Sequence, residues 1–112
     1  MSQLTVIEGT VMTVSTSTPF TTTAGAAADP TTVHLAWAIG GGTVTELTYS
    51  SGGSGTNTII RSGTGSYYAN LVTEGLPGLW TLSWTGISTN GAVSVVYEWE
   101  QYVTPRAVAI TL

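Results

Sequence analysis

The chain has 112 residues, which is enough for one domain that buries about two-thirds of its unfolded surface. It contains no cysteine, so neither a disulfide framework nor a thiolate zinc site is available. Two arginines and no lysine stand against six acidic residues, a net charge of -4 that excludes the cationic stripe needed to bind nucleic acid.

Charged residues make up only 7% of the chain, against roughly 25% in typical soluble domains. Threonine, serine and glycine must cover the surface instead, and they favour β-sheet over helix. Few charges also permit close packing of molecules in an assembly. Residues 1–10 lack the features of a signal peptide, and no apolar run approaches the ~20 residues that span a bilayer. We therefore expect a soluble chain that is made in the cytoplasm, unless a leaderless route exports it, with no membrane partner.

The first 30 residues predict one strand between two irregular segments. Residues 1–8 are predicted to form an N-terminal arm, in which residues 2–7 are either an arm or an edge extension, and residues 9–15 are predicted to form the first strand. The stretch 15–30 combines small polar residues with two prolines, so we expect a loop anchored by Phe20.

The cleanest alternation of the sequence follows Asp29 and Pro30. Its apolar face holds Val33, Leu35, Trp37 and Ile39. His34 lies on the opposite face, so the pattern predicts a half-buried strand. Three glycines at 40–42 end this strand, and a return strand is predicted at 43–49. A flexible loop at 50–55 leads to a short strand at 56–61.

The stretch from Ser62 to Trp84 carries the rest of the predicted core. Residues two apart in a strand share a face. One strand thus groups Tyr67, Ala69 and Leu71, and the next groups Trp80, Leu82 and Trp84. The linker 74–78 contains a proline between glycines and cannot be helical. The two strands therefore meet at an antiparallel corner that buries the tryptophan face.

The C-terminal part predicts a last core strand at 92–103, with Trp99 facing the core. Residues 104–106 break it, and the tail continues to residue 112. The sequence thus contains about seven short strands at spacings of roughly 8 to 12 residues. It predicts an all-β, immunoglobulin-like sandwich of about seven antiparallel strands over 9–103, flanked by the arms 1–8 and 104–112.

Few residues of the chain suggest chemistry. His34 is the only histidine and is interpreted as a surface residue. Glu98 and Glu100 share a strand face, which we interpret as solvated rather than as a glycosidase pair or metal site. Asp29 precedes a proline, where its carboxylate can accept hydrogen bonds from the following backbone. Arg61 is expected to pair with a carboxylate, such as Glu98 or Glu100 on a neighbouring strand. We predict no catalytic residue, no metal and no cofactor.

Three tyrosines allow two interpretations. Tyr49, Tyr68 and Tyr102 either fill the second sheet or cover an interface, or they form an aromatic platform that stacks on sugar rings. The platform interpretation rests mainly on Tyr68 and Tyr102.

Several segments together resemble a known family. Residues 28–33 read ADPTTV, residues 61–67 read RSGTGSY, and Gly78-Leu79-Trp80 is followed by Trp84. With Glu98 and Glu100, they are similar to small proteins encoded among the virion structural genes of tailed bacteriophages, many of which infect actinobacteria. The resemblance covers about residues 9–103. The glycines at 40–42 depart from the Pro-Asp-Gly turn that is common in that family.

The resemblance implies an immunoglobulin-like, non-enzymatic virion component that is assembled in the host cytoplasm. The first hypothesis is a capsid decoration or accessory protein that binds the major capsid protein, with self-association as a further option. The alternatives are a head-to-tail connector or tail protein and a carbohydrate-binding adhesion module. The residues expected to contact partners lie in the two arms: Leu4, Val6, Ile7, Val108, Ile110 and Leu112.

Overall fold

A computed structural model describes residues 6–16, 18–22, 24–88 and 95–106, with only the backbone described at 95–97. This part of the chain is all β, as predicted, and contains eight strands. None of its residues belongs to a helix long and apolar enough to cross a membrane. The strands are β1 (Val6–Ile7), β2 (Val11–Ser15), β3 (Thr32–Ile39), β4 (Thr45–Thr48), β5 (Ile59–Gly63), β6 (Ser66–Val72), β7 (Gly78–Ile87) and β8 (Val95–Thr104).

The eight strands form two sheets. The front sheet has the order β1-β8-β7-β3-β4, and the back sheet has the order β2-β6-β5. One hydrophobic cluster takes side chains from both sheets, so the arrangement is sandwich-like. The described ladders are antiparallel except that β1 runs parallel to β8. In addition to the about seven strands predicted, β1 forms within the segment interpreted as an arm or edge extension, where its two residues pair with β8.

The structure confirms the predicted alternation of the central strands. The face of β3 that carries Leu35 is buried, and Leu35 pairs with Trp84 of β7. The faces grouped around Ala69 on β6 and Leu82 on β7 are buried as well. The start of β5 differs from the prediction because of a local backbone conformation. Asn57 adopts a left-handed φ of 54°, and β5 therefore starts only at Ile59.

Tryptophan side chains fill much of the space between the sheets. Trp37 and Trp80 stack with ring centroids 5.8 Å apart and an interplanar angle of 17°. The Trp80 indole N–H donates to the Leu76 carbonyl at 2.9 Å. The buried Trp84 Nε1 has no hydrogen-bond partner in the described part of the chain. Trp99 was predicted in the core and instead packs against its margin.

The predicted N-terminal arm 1–8 includes the edge strand β1. Val6 pairs with Val103 and packs against the core, whereas Ile7 is 48% exposed. Residues 1–5 lie outside the described residues. Val6 and Ile7 therefore differ in role even though they are neighbours in sequence.

We expect the core to tolerate loss of a tryptophan poorly. Trp80→Ala should lower the free energy of unfolding by about 3–5 kcal/mol, since it removes a fully buried side chain and its stacking on Trp37. The neighbouring Leu79 is 43% exposed, so Leu79→Ala should cost less than about 1 kcal/mol. Urea unfolding followed by circular dichroism measures both. Equal losses for the two variants would contradict this account of the core.

Candidate functional site

The carboxylate of Asp29 contacts four donor groups, all of which belong to residues 61–67 and are 32 to 38 residues away in the sequence. Asp29 Oδ1 accepts hydrogen bonds from the Gly65 amide at 2.8 Å and from the Tyr67 hydroxyl at 2.9 Å. Arg61 Nε lies 3.1 Å from both carboxylate oxygens, and its Nη2 lies 3.0 Å from Oδ2. We call these four residues the Asp29 corner. It ties the loop before β3 to the β5–β6 hairpin.

The local backbone explains why these groups meet. Gly65 has a φ of +72°, and a Cβ there would lie 2.5 Å from the Phe20 carbonyl oxygen, so only glycine fits. The Phe20 amide donates to the Gly65 carbonyl at 2.8 Å. The Tyr67 ring lies 6.0 Å from the Phe20 ring, with its hydroxyl on Asp29. The predicted anchor Phe20 is buried, and it seats the loop against the hairpin turn.

The electrostatics of the Asp29 corner are those of a structural ion pair. The hydrogen bond from Arg61 lowers the pKa of Asp29, the Gly65 and Tyr67 donors lower it further, and burial opposes them. Burial raises the pKa of Tyr67, and the Asp29 carboxylate adds to the shift. Both carboxylate oxygens of Asp29 thus already accept hydrogen bonds from donors of this chain. Asp29 was predicted to accept hydrogen bonds from the following backbone; the backbone donor found is the Gly65 amide, 36 residues away in the sequence.

The predicted pairing of Arg61 with Glu98 or Glu100 is wrong. Arg61 lies on β5 at an edge of the back sheet, whereas both glutamates lie on β8 of the front sheet. Asp29 is its partner because the loop before β3 returns to that edge.

The second arginine lies where β1, the end of β8 and the β6–β7 connection meet. Arg106 pairs with Glu74, and its Nη2 lies 3.7 Å from Glu8 Oε2. Glu8 also accepts from the backbone amides of Gly75 and Arg106. Beneath it, the buried Thr73 hydroxyl donates to the Thr10 carbonyl at 2.6 Å. These contacts fix β1 and the end of β8 to the β6–β7 connection.

The outer face of the front sheet carries the remaining acidic side chains. Glu98 and Glu100 are exposed on β8, as predicted, and Glu46 is exposed on β4. His34 lies on the same face, as predicted, with its Nδ1 3.0 Å from Thr48 Oγ1 and 3.7 Å from Glu46 Oε1. The side-chain exposure of His34 is 21%, so it is half-buried rather than free in solvent.

A shallow depression lies in the middle of this outer face. It has a volume of about 240 Å³ and is open to solvent. Its lining combines small side chains of β3 and β7 with Glu98 and with Val44, which is 63% exposed. Sequence reasoning missed this feature, because no sequence pattern tells which strands of β3, β4, β7 and β8 lie side by side.

The residues predicted to contact partners are placed only in part. Leu4, Val108, Ile110 and Leu112 lie outside the described residues. Ile7 shares the outer face of the front sheet with Tyr102, which is 48% exposed. Tyr102 pairs across strands with Leu79, which is 43% exposed. An exposed apolar group thus borders the corner at which both arms join the sandwich.

The structure does not bring the predicted sugar-binding tyrosines together. Tyr68 is half-buried on the outer face of the back sheet, whereas Tyr102 is on the outer face of the front sheet. A single sugar ring cannot contact both in one copy of the chain. Tyr49 packs instead against Tyr67 in an edge-to-face contact at 5.2 Å.

Among the described residues, no three histidine, aspartate or glutamate side chains are close enough to hold a metal ion. Comparisons with protein-family models, with curated proteins and with solved structures find no match to the chain.

The Asp29 corner makes stability depend on pH in a defined direction. Because its folded pKa lies below the usual value of 3.8, Asp29 stabilises the fold above that pH, and the contribution is lost as the pH falls through the folded pKa. Asp29→Asn should lower the free energy of unfolding at pH 7 by about 1 kcal/mol, a figure reduced for solvent exposure. The deficit should shrink below about pH 4. Urea midpoints at pH 7, 5 and 3 measure it.

Glu100→Gln is the matched control for that experiment, since Glu100 is exposed and has no partner in the described part of the chain. Its free energy of unfolding should stay within about 0.5 kcal/mol of the wild-type value at each pH. An Asp29→Asn deficit that grows on acidification would refute the assignment.

The two residues of β1 should respond differently to truncation. Val6→Ala should lower the free energy of unfolding by about 1 kcal/mol, because Val6 packs against the core. Ile7→Ala should change it by less than about 0.5 kcal/mol, since that side chain is largely exposed. Urea unfolding distinguishes the two. A larger loss for Ile7→Ala would mean that the parallel register of β1 is wrong.

Proposed function

We propose that this chain is a non-enzymatic structural protein of a bacteriophage particle, an immunoglobulin-like sandwich that binds the major capsid lattice as a decoration or accessory protein. The proposal is supported mainly by the exposed apolar side chains at the place where β1 pairs with the end of β8. Residues 6–8 and 104–106 of the two predicted arms meet there, and the exposed Ile7, Leu79 and Tyr102 lie on the adjoining face. Exposed apolar groups beside chain ends suit binding to a neighbouring protein.

The strand order supports the immunoglobulin-like part of the proposal. In immunoglobulin domains with strands A to G, one sheet contains B-E-D and the other G-F-C, which some domains extend by C′. Here the back sheet runs β2-β6-β5 and the front sheet contains β8-β7-β3-β4. Trp37 lies on β3, the strand that corresponds to C, where immunoglobulin domains carry a buried tryptophan.

The use of the ionisable groups supports a binding role over catalysis. Asp29, Arg61 and Tyr67 bind one another, and Arg106 binds Glu8 and Glu74. These groups hold loops and chain ends in place. The composition adds to this, since a surface with few charges suits close packing in an assembly.

The same features would serve a protein of the head-to-tail connector or tail, so copy number separates the alternatives. Quantitative mass spectrometry of gradient-purified virions, with the major capsid protein counted in the same sample, measures it. We expect a ratio to the capsid protein near one to one, or a fixed simple fraction. About twelve copies per particle would instead indicate a closed ring at the connector or tail. Absence from the particle would contradict the proposed function.

A further inference from the structure

The charges of the described chain are distributed unevenly. The chain has two arginines and six acidic residues. Arg61 is paired with Asp29, and Arg106 with Glu74 and Glu8. The three acids that remain have no arginine partner, and all lie on the outer face of the front sheet: Glu46, Glu98 and Glu100. Among the described residues, His34 is the only group near these acids that can carry a positive charge.

The strand register places two of these acids in one row across the sheet, and one of them, Glu98, lines the depression. Glu46 pairs with Ala36, Ala36 with Ser83, and Ser83 with Glu98, so the four residues form one row across the sheet. Adjacent strands are about 4.8 Å apart, which separates the two glutamate backbones by roughly 14 Å. The floor between them consists of small side chains, and the depression lies on this floor. The exposed Val44 adds an apolar wall.

This surface is chemically complementary to a long cationic side chain. Lysine and arginine bury their aliphatic stems on apolar surface and keep the charged group near an acid. Ala36, Ala38 and Val44 offer the apolar contact, and Glu98 offers the carboxylate. Leu79 and Tyr102 lie further along the same face and can contact apolar residues that flank the cation.

The same charges disfavour a second copy of this chain as the occupant. Two copies that met through this face would place glutamates against glutamates, and like charges at an interface oppose association. The chain has no lysine, and both of its arginines are engaged at other corners. The complementary cation must therefore come from a different protein.

We propose that the outer face of the front sheet docks a different protein, which inserts a lysine or arginine side chain into the depression lined by Glu98, in the strand row that also holds Glu46. The inference deepens the proposed function by naming the surface and the chemistry of its partner, and only the particle readout below rests on that function. The charged contacts set the orientation and the association rate of the partner, while the apolar contacts slow its dissociation.

The test compares two identical substitutions on opposite outer faces. Ser83→Arg fills the depression and places a cation beside Glu98, its cross-strand neighbour. Ser15→Arg puts the same side chain on the back sheet, at an exposed position of β2. Both variants should fold, because each arginine reaches solvent, and thermal unfolding checks this. Glu98→Gln removes the carboxylate without filling the depression.

In particles, we expect Ser83→Arg to reduce the copies per virion at least about tenfold, while Ser15→Arg matches the wild type. Glu98→Gln should give an intermediate loss. Equal incorporation of Ser83→Arg and wild type would overturn the docking surface and leave the virion role intact.

A second readout uses the purified protein and does not depend on the virion. The probes are the peptide acetyl-Gly-Arg-Leu-Arg-Gly-amide and its counterpart with glutamate in place of arginine, titrated into ¹⁵N-labelled chain. We expect the cationic peptide alone to shift the amide signals of Ala36, Ser83 and Glu98, and Ser83→Arg to weaken binding at least about tenfold. If the wild type is absent from virions but binds the peptide in this way, the proposed function fails and the docking surface stands.

Two other occupants would reveal themselves in the same experiments. A second copy would appear as concentration-dependent self-association, measured by sedimentation, that Ser83→Arg abolishes. The chain's own tail would appear as shifts at Ala36 and Ser83 in the full-length variant Ile110→Asp without any peptide. Either result, or peptide shifts spread over other acidic sites, would overturn the proposal.

Discussion

The fold depends on filling the space between two sheets without any covalent link across it. The chain has no cysteine, so the aromatic layer on the inward faces of β3 and β7 must hold the sheets together by buried area. Trp37 stacks on Trp80, and Trp84 is fully buried beside Leu82. Each buried aromatic side chain removes about 150–250 Å² from water. This packing has an energetic cost at Trp84, whose indole N–H loses its hydration and is buried without a hydrogen-bond partner among the described residues.

The irregular segments depend on a second constraint, the scarcity of charge. Only two arginines are available, and each one fixes a place where chain segments far apart in sequence converge. Arg61 holds the loop before β3 through Asp29. Arg106 holds β1 and the β6–β7 connection to the end of β8 through Glu8 and Glu74. Because the cations are used in this way, the outer face of the front sheet is left acidic. The acidic outer face is therefore a consequence of the ion pairs by which the two arginines hold the irregular segments.

Much of the fold could be predicted because side-chain alternation depends only on backbone geometry. The faces that contain Leu35, Ala69 and Leu82 were assigned correctly, since a strand has a period of two in any surroundings. For β1 the sequence indicated only an arm or edge extension, because two residues carry no period of their own. The pairing of Arg61 was predicted wrongly, because alternation places a side chain on a face without saying which sheet the strand belongs to.

The candidate site was less predictable than the core. The sequence indicated that Glu98 and Glu100 share an exposed face, and that His34 lies opposite Trp37. Nothing in it indicated that Glu46 lies in one row with Glu98, or that Tyr68 and Tyr102 lie on opposite faces of the sandwich. The sequence by itself determined the all-β class, the inward residues of the main strands and the shortage of charge, because composition and a two-residue period are local properties. Only the tertiary structure decided which strands are neighbours, and therefore which charges meet, because strand pairing joins residues that are dozens of positions apart.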